Sequence, residues 1–192
     1  EFVKYAFKAM NDFGELFFDE NGLKFSKFKE FFGLPGKVGD KQRVQMIQNK
    51  LSKIKGECSL EKEKKRNVSS KVKCVALCIE TRPDYGLLDE GNEMLRLGCT
   101  RVEIGIESVY DDVLDFVERG HSTEDTKKSI QILKDLGFKV AGHYMPGLPL
   151  TDYDKDLRGL KDLFSDADYK PDMLKLYPCM VTKGTKLYDL YK

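Results

Sequence analysis

Residues 101–107 read RVEIGIE, with apolar residues at every second position. Neighbouring side chains of a strand point to opposite faces, so Val102, Ile104 and Ile106 share one face. Glu103 and Glu107 then lie on the other face. Three further stretches alternate in the same way, at Cys74–Ile79, Val140–Met145 and Leu174–Tyr177. The pattern therefore predicts four strands, each with one apolar face.

Helical segments separate these strands. Their apolar residues follow helical spacing in three stretches, Leu87–Leu97, Thr123–Leu136 and Tyr153–Phe164. Gly98 and Gly137 stand where glycine is typical of a helix end. Ser122 and Asp125 have the spacing of a capping box at the start of the middle helix. Strand and helix alternate at a spacing of about 30 residues, which predicts βα units and a parallel sheet.

Polar side chains occupy the second face of the predicted strands, towards their C-terminal ends. They are Glu80, Arg82, Glu103, Glu107, His143, Lys175 and Tyr177. Unpaired groups of this kind are costly to bury in a dry core. We therefore predict an α/β fold, a partial (open) TIM-like barrel with a polar lumen and a ligand at the C-terminal rim. The alternative is a flat doubly wound sheet, which would place these groups beneath a layer of helices.

The first part of the chain has a different character. Residues 1–70 are predicted to form a helical, basic lead-in segment, and residues 71–192 the barrel part. Between Lys37 and Lys73 stand twelve basic and four acidic residues, a net charge of +8 in a chain whose total is +1. Such a concentration indicates a surface for a polyanion. A solvated, lysine-rich helical linker is the alternative.

Composition excludes several classes of protein. No apolar run approaches the roughly 18 residues that a membrane span requires, so no membrane association is expected. The first residues lack the basic-then-apolar pattern of a secretory leader. The five cysteines are an odd number without framework spacing, which favours a reducing, cytoplasmic location.

Five motifs follow one another in a characteristic order. They are IETRPDY at 79–85, GCTRVEIGIESVY at 98–110, RGH at 119–121, MPGLP at 145–149 and LKLYP at 174–178. This set resembles the radical S-adenosylmethionine (SAM) domain of the Elongator catalytic subunit. That family carboxymethylates the wobble uridine of tRNA. The resemblance is dense from about Lys71 to Lys192 and loose over residues 1–70.

The resemblance implies SAM and a 4Fe–4S cluster as cofactors and acetyl-CoA as substrate. It also implies tRNA and Elongator-like subunits as partners. The family's three closely spaced cluster cysteines are missing from this chain, as is the glycine-rich element after the second strand. Cys74 and Cys78 would lie about 13 Å apart along one strand face, too far to share a cluster. We therefore predict no metal ligands here. The chain is expected to be a fragment that is inactive alone, without the acetyltransferase-like domain.

The resemblance also implies roles for individual residues. The residues expected to contact the cofactor are Glu80, Arg82, Glu103, Glu107, Ser108, Met145 and Pro146. Glu107 and Ser108 would hydrogen-bond the ribose or methionyl group, and the loop at Met145 would cradle the adenine. The alternatives are structural ion pairs: Glu107 with Arg82 or Lys175, or Glu80 with Arg82.

Three residues are expected to act in catalysis. Lys175 would polarise a thioester carbonyl, Tyr177 would order a hydrolytic water, and His143 would carry protons or contact the cofactor. A Lys175–Glu103 ion pair and a satisfied core histidine at position 143 are the alternatives.

The expected RNA contacts are Lys62, Lys64, Lys65, Arg66, Arg119 and His121. An ordinary loop leading into a helix explains Arg119 and His121 nearly as well. A different functional class also fits the sequence, in which the half-barrel is a non-catalytic scaffold of a larger assembly. An open sheet leaves an unpaired edge, so a dimer or a swapped assembly is expected.

Overall fold

A computed structural model describes residues 1–191 of the chain. The chain divides into two compact units, Glu1–Val75 and the residues from Ala76 onward. The division lies close to the boundary predicted after residue 70. We describe each unit by itself.

The first unit contains four helices and a small hairpin. The elements are α1 (Phe2–Phe17), β1 (Phe18–Asp19), β2 (Gly22–Leu23), α2 (Phe25–Phe32), α3 (Lys41–Lys55) and α4 (Leu60–Val68). The two short strands pair antiparallel. Phe17 is 2% exposed, and its ring lies 5.3 Å from that of Phe31 and 5.8 Å from that of Phe28. These edge-to-face contacts belong to the aromatic core of the unit.

Helix α4 was not predicted, because its sequence reads as a charged stretch without an apolar period. One local and one tertiary feature form it: the Ser59 hydroxyl accepts from the Lys62 amide at the N-terminus, and one face packs on α1. There the buried Asn11 amide donates to the Glu63 carboxylate at 2.8 Å, and Asn67 donates to Asn11 at 2.7 Å. Buried polar groups that are fully paired in this way hold two polar helices together.

The second unit is an α/β fold around one parallel sheet. Its elements are β3 (Cys78–Thr81), a 3₁₀ turn (Pro83–Tyr85), α5 (Leu88–Leu97), β4 (Arg101–Glu107), α6 (Asp111–Phe116), α7 (Thr123–Asp135), β5 (Lys139–Tyr144), α8 (Tyr153–Ser165), β6 (Met173–Leu176) and α9 (Lys186–Tyr191). The strand order is β3-β4-β5-β6, all parallel. Over residues 1–191 this sheet does not close, so the predicted open α/β sheet is confirmed.

The predicted apolar face forms the core. Val102, Ile104 and Ile106 are fully buried and cluster with Leu133 of α7 and Leu163 of α8. Gly98 and Gly137 take positive φ angles after α5 and α7, and the capping box of Ser122 and Asp125 is complete.

The first strand is shorter than predicted. It begins at Cys78 instead of Cys74, and the side chain of Val75 is 95% exposed. Alternation alone does not make a strand where no neighbour covers its apolar side. The predicted placement of Cys74 and Cys78 on one strand face is therefore wrong. The 3₁₀ turn and α6 are too short for a periodic signal, and the sequence did not reveal them.

Truncating the centre of this core tests the fold. The Ile104→Ala variant is expected to lower the free energy of unfolding by about 2–5 kcal/mol, because it removes a fully buried side chain and leaves a cavity. Chemical denaturation monitored by circular dichroism measures the loss. The control is Leu88→Ala, where the side chain is 53% exposed. Equal losses in the two variants would contradict this placement of the core.

Candidate active site on the polar face of the sheet

Four strands each bring one polar side chain to the face opposite the core. The sheet register sets Glu80 of β3 beside Glu103 of β4, and His143 of β5 beside Lys175 of β6. His143 Nε2 lies 2.9 Å from Glu103 Oε2, and His143 Nδ1 lies 3.6 Å from Glu80 Oε1. Lys175 Nζ lies 3.6 Å from the same Glu103 oxygen. The structure therefore brings these four predicted residues together.

Glu103 is the centre of this group. His143 is 2% exposed, and its imidazole N–H donates to the Glu103 carboxylate. This bond is the largest cause that lowers the pKa of Glu103 below its ordinary value, and the charge of Lys175 adds to it. Arg101 of β4 also lies 3.0 Å from Glu103. The carboxylate is therefore ionised at neutral pH, with cationic partners on two sides.

The ligand atoms of Glu80, Glu103 and His143 lie within 4.8 Å of one another, close enough to hold a metal ion. Two neighbouring charges oppose a further cation, because Arg101 and Lys175 already balance Glu103. We therefore describe this group as a hydrogen-bonded network.

A second polar group lies at the end of β4. Arg119 Nη2 donates to Glu107 Oε1 at 2.9 Å, and the Tyr177 hydroxyl donates to Glu107 Oε2 at 2.9 Å. The rings of His143 and Tyr177 are 5.9 Å apart, so the two groups adjoin. The ion pair of Glu107 is formed with Arg119, so the predicted alternative pairs with Arg82 or Lys175 are wrong.

Arg82 does not join these groups. Its Nε donates to Asp84 at 2.9 Å, and its guanidinium lies 5.3 Å from the centre of the Tyr85 ring. Strand β3 ends at Thr81, so the alternation used for the prediction no longer applies at Arg82. The predicted alternative pair of Glu80 with Arg82 is wrong for this reason.

Ser108, Met145 and Pro146 line the loops that follow β4 and β5. Ser108 is 2% exposed, and its hydroxyl accepts from the Tyr110 amide at 3.3 Å. The Met145 amide donates to Glu107 at 2.9 Å, and the Pro146 carbonyl accepts from Cys179 at 2.9 Å. The first of these main-chain contacts ties the loop after β5 to the backbone carbonyl of Glu107 at the end of β4, and the second ties it to the segment after β6.

The predicted RNA contacts on α4 divide into two kinds. Lys62 and Lys65 are exposed, and Lys64 lies 3.7 Å from Glu61. Arg66 instead faces α1, where it pairs with Asp12 at 2.9 Å as well as with Glu15 and Glu63. Hydrogen bonds to these carboxylates raise the pKa of Arg66. Its charge serves helix packing, so the prediction that Arg66 contacts RNA is corrected.

The loop residues Arg119 and His121 also turn inward. His121 is 6% exposed, and its Nε2 lies 3.4 Å from the carbonyl of Ile106. Burial lowers the pKa of His121, which favours the neutral imidazole. A buried neutral ring does not reach a phosphate, and Arg119 is engaged by Glu107. The sequence signal that was missed is Gly105, which leaves the space that Arg119 fills.

Comparison with known proteins identifies the family of this chain. The family model described as "Radical SAM superfamily" matches residues 43–162. The chain belongs to the radical SAM superfamily. Among solved structures, this radical SAM chain is similar to the archaeal Methanocaldococcus infernus Elp3, with a TM-score of 0.69 and 45% identity over 78% of this chain and 35% of that one. Coproporphyrinogen III oxidase from Escherichia coli shares the fold alone, with a TM-score of 0.51 and 18% identity over 74% of this chain and 29% of that one.

Curated relatives carry names from the same family. The "tRNA uridine(34) acetyltransferase" of Methanocaldococcus jannaschii is 52% identical over 134 residues, which cover 70% of this chain and 25% of that protein. Human "Elongator complex protein 3" is 39% identical over 164 residues, 84% of this chain and 29% of that protein. The radical SAM chain thus spans about a quarter of the length of these relatives.

Membership of the superfamily implies SAM and an iron–sulfur cluster, and the residues present do not fit the cluster. The group that could hold a metal among residues 1–191 contains no cysteine. The five cysteines are free thiols, of which Cys99 is buried and Cys78 exposed. We therefore assign no cluster ligand in this chain. No helix of the described residues is long and apolar enough to cross a membrane.

Removing the charge of Glu103 is expected to change the acid sensitivity of the chain. The folded-state pKa of Glu103 is below its ordinary value of 4.5. Its stabilisation is therefore complete above pH 4.5 and is lost as the pH falls through the lower folded-state pKa. As the pH falls below 4.5, wild type should lose more stability than Glu103→Gln. Chemical denaturation at each pH measures this, with the exposed Glu124→Gln as control. Parallel curves for wild type and Glu103→Gln would contradict the network.

Proposed function

We propose that this chain is part of a radical SAM enzyme that modifies tRNA, using acetyl-CoA and SAM to form 5-carboxymethyluridine at the wobble position. One observation carries the proposal: Glu80, Glu103, His143 and Lys175 converge on the polar face of an open parallel sheet. The names of the relatives, tRNA uridine(34) acetyltransferase and Elongator complex protein 3, support the choice of substrate. A non-catalytic scaffold leaves this convergence unexplained.

The charges of the site suit the proposed ligands. SAM carries a cationic sulfonium, and the exposed carboxylate of Glu80 supplies negative charge on β3. SAM and a cluster supply radical chemistry when bound, while the protein orients the reactants. We assign the remaining cofactor contacts to Glu103, Ser108, Met145 and Pro146. Arg82 is left out because Asp84 occupies its guanidinium.

Lys175 and His143 are the groups we assign to acetyl-CoA. The side chain of Lys175 is 57% exposed, so its ammonium is accessible to a ligand, and it forms an ion pair with Glu103 at 3.6 Å. A fixed cation of this kind polarises a thioester carbonyl and stabilises the negative charge that develops on its oxygen. His143 supplies an imidazole that is already oriented by Glu103. The hydroxyl of Tyr177 retains an acceptor for a water molecule.

The exposed lysines of α4 are the part of the chain that we assign to tRNA. Lys62 and Lys65 point to solvent, and Lys64 lies on the same helix. The proposed substrate places the enzyme in the cytoplasm, where it would act with Elongator-like subunits. The open edges of the sheet make a dimer or a swapped assembly of this chain the expected state.

A chimaera tests the proposed activity in a complete enzyme. The 134 matched residues of the Methanocaldococcus jannaschii relative are replaced by those of this chain. We expect the chimaera to modify the wobble uridine of tRNA, measured by mass spectrometry of digested nucleosides. A Lys175→Met version should lose the modification. A folded chimaera that leaves uridine unmodified, while the parent enzyme modifies it, would refute the proposal.

Charge reversal on α4 tests the assignment of tRNA. The double variant Lys62→Glu with Lys65→Glu is expected to bind tRNA more weakly, because phosphate contacts release counterions when they form. The slope of log affinity against log salt should fall by about 2. Filter binding at several salt concentrations measures it. The matched control reverses the exposed Lys128 and Lys161 on α7 and α8. Equal effects of both pairs would contradict a specific surface on α4.

A further inference from the structure

A groove of about 670 Å³ lies in the first unit, lined by residues of α1, the end of α2 and α3. Ligand sites in proteins have volumes of about 300–1,000 Å³, so the groove is large enough for a small molecule or for one or two nucleotides. The strands of the parallel sheet contribute no residue to its lining. We call it the α1–α3 groove, and the site on the polar face of the sheet does not account for it.

Phenylalanine rings form the wall of the α1–α3 groove that belongs to α1 and α2. The ring centres of Phe13 and Phe17 are 5.0 Å apart, and those of Phe31 and Phe32 are also 5.0 Å apart. Phe17 is 2% exposed, whereas the other three are only half-buried and line the groove. Half-buried rings offer area on which a planar ligand can stack. Nucleobases stack on aromatic side chains in this way in many complexes with single-stranded RNA.

Polar side chains of α3 form the opposite wall. Gln45, Gln48, Asn49 and Ser52 are exposed and line the groove. Gln45 Nε2 donates to Asn49 Oδ1 at 3.1 Å, so the NH₂ group of Asn49 keeps its donors for a ligand. A side-chain amide offers both a donor and an acceptor, which is what the edge of a nucleobase requires. A purely aliphatic ligand would leave these amides unused.

The charge of α3 favours an anionic ligand. Its fifteen residues, 41–55, include five basic and no acidic side chains. Arg43 and Lys50 donate to main-chain carbonyls at 3.0 Å and 2.9 Å, and Lys55 lies 4.5 Å from the ring centre of Tyr5. Within residues 1–191, none of these three forms an ion pair with a carboxylate. Their positive charge is therefore available to attract phosphate groups.

The acid that lines the groove does not oppose this attraction. Asp12 of α1 lies 2.5 Å from Lys8 and 2.9 Å from Arg66, so two cations already surround its carboxylate. Lys8 and Lys55 also line the groove, which leaves its lining with a net charge of +1.

We propose that the α1–α3 groove binds unpaired nucleotides of an RNA strand. The phenylalanine wall stacks a base, the amides of α3 contact the edge of that base, and the lysines of α3 attract its phosphates. Base stacking requires aromatic residues, and the basic segment between Lys37 and Lys73 contains none. The fold supplies them from residues 13–32. The proposal rests on the proposed function only for the identity of the RNA as tRNA.

A titration with RNA tests the proposal directly. The affinity of the chain for a fluorescein-labelled RNA decamer of mixed sequence is measured by fluorescence anisotropy. The single strand should bind more tightly than a duplex of the same sequence. Phe13→Leu keeps an apolar side chain and removes the ring, so it should weaken single-strand binding roughly tenfold, the scale of one stacked base. The matched control is Phe25→Leu, where the ring is 56% exposed and lies outside the groove.

Asn49→Leu separates a nucleobase from an apolar ligand. This variant changes an exposed position of α3, so the core is unaffected and the test holds even if Phe13→Leu is unstable. We expect single-strand binding to weaken about fivefold, the scale of one hydrogen bond. Unchanged RNA affinity in Asn49→Leu, together with tighter binding of laurate measured by calorimetry, would make the groove a site for apolar acids and would overturn the proposal.

Two further results would contradict a nucleotide site. Equal affinity for the single strand and the duplex would show that phosphate contacts alone account for binding. Equal effects of Phe13→Leu and Phe25→Leu would show that no base stacks in the groove.

The outcome is distinguishable from that of the proposed function. RNA binding that depends on Phe13 and Asn49, in a chain whose chimaera leaves uridine unmodified, would refute the proposed function and support the groove. A chimaera that modifies uridine, in a chain whose RNA binding ignores both residues, would support the proposed function and overturn the groove.

Discussion

The hydrogen bond between His143 and Glu103 is the contact on which the polar face of the sheet depends. Both groups are largely out of water, and a buried imidazole or carboxylate without a partner is destabilising. Once the bond forms, Glu103 becomes the point on which Lys175 also converges. The sheet can then carry charged residues on one face and a dry apolar core on the other. Helices α7 and α8 pack on the apolar face through residues such as Leu133 and Leu163.

Much of this arrangement could be predicted from the sequence, because the two-residue period of a strand fixes the face of every side chain. The alternation around Ile104 placed Glu103 opposite the core, and the same rule placed His143 and Lys175. Parallel pairing of the strands then set the polar side chains of neighbouring strands beside one another. Motifs whose hydrogen bonds join residues close together in the chain were predicted equally well: the capping box at Ser122 formed as its spacing predicts.

Other partners could not be predicted, because they depend on contacts between residues far apart in the chain or on irregular backbone. Arg66 meets Asp12 of another helix, and Arg119 reaches Glu107 through a space that only a glycine leaves. The register shift after Gly105 moves Glu107 away from the position that regular alternation assigns to it. Two of the basic residues predicted to contact RNA, Arg66 and Arg119, are therefore partners of carboxylates within the chain.

The coupling between His143 and Glu103 is the most direct measure of this account. A double-mutant cycle with His143→Asn and Glu103→Gln, followed by chemical denaturation, isolates the free energy shared by the two side chains. We expect a coupling of about 1–3 kcal/mol, as for a hydrogen bond to a charged group in a buried setting. Additive losses, with no coupling, would show that the two residues do not meet, and the polar face would lose its centre.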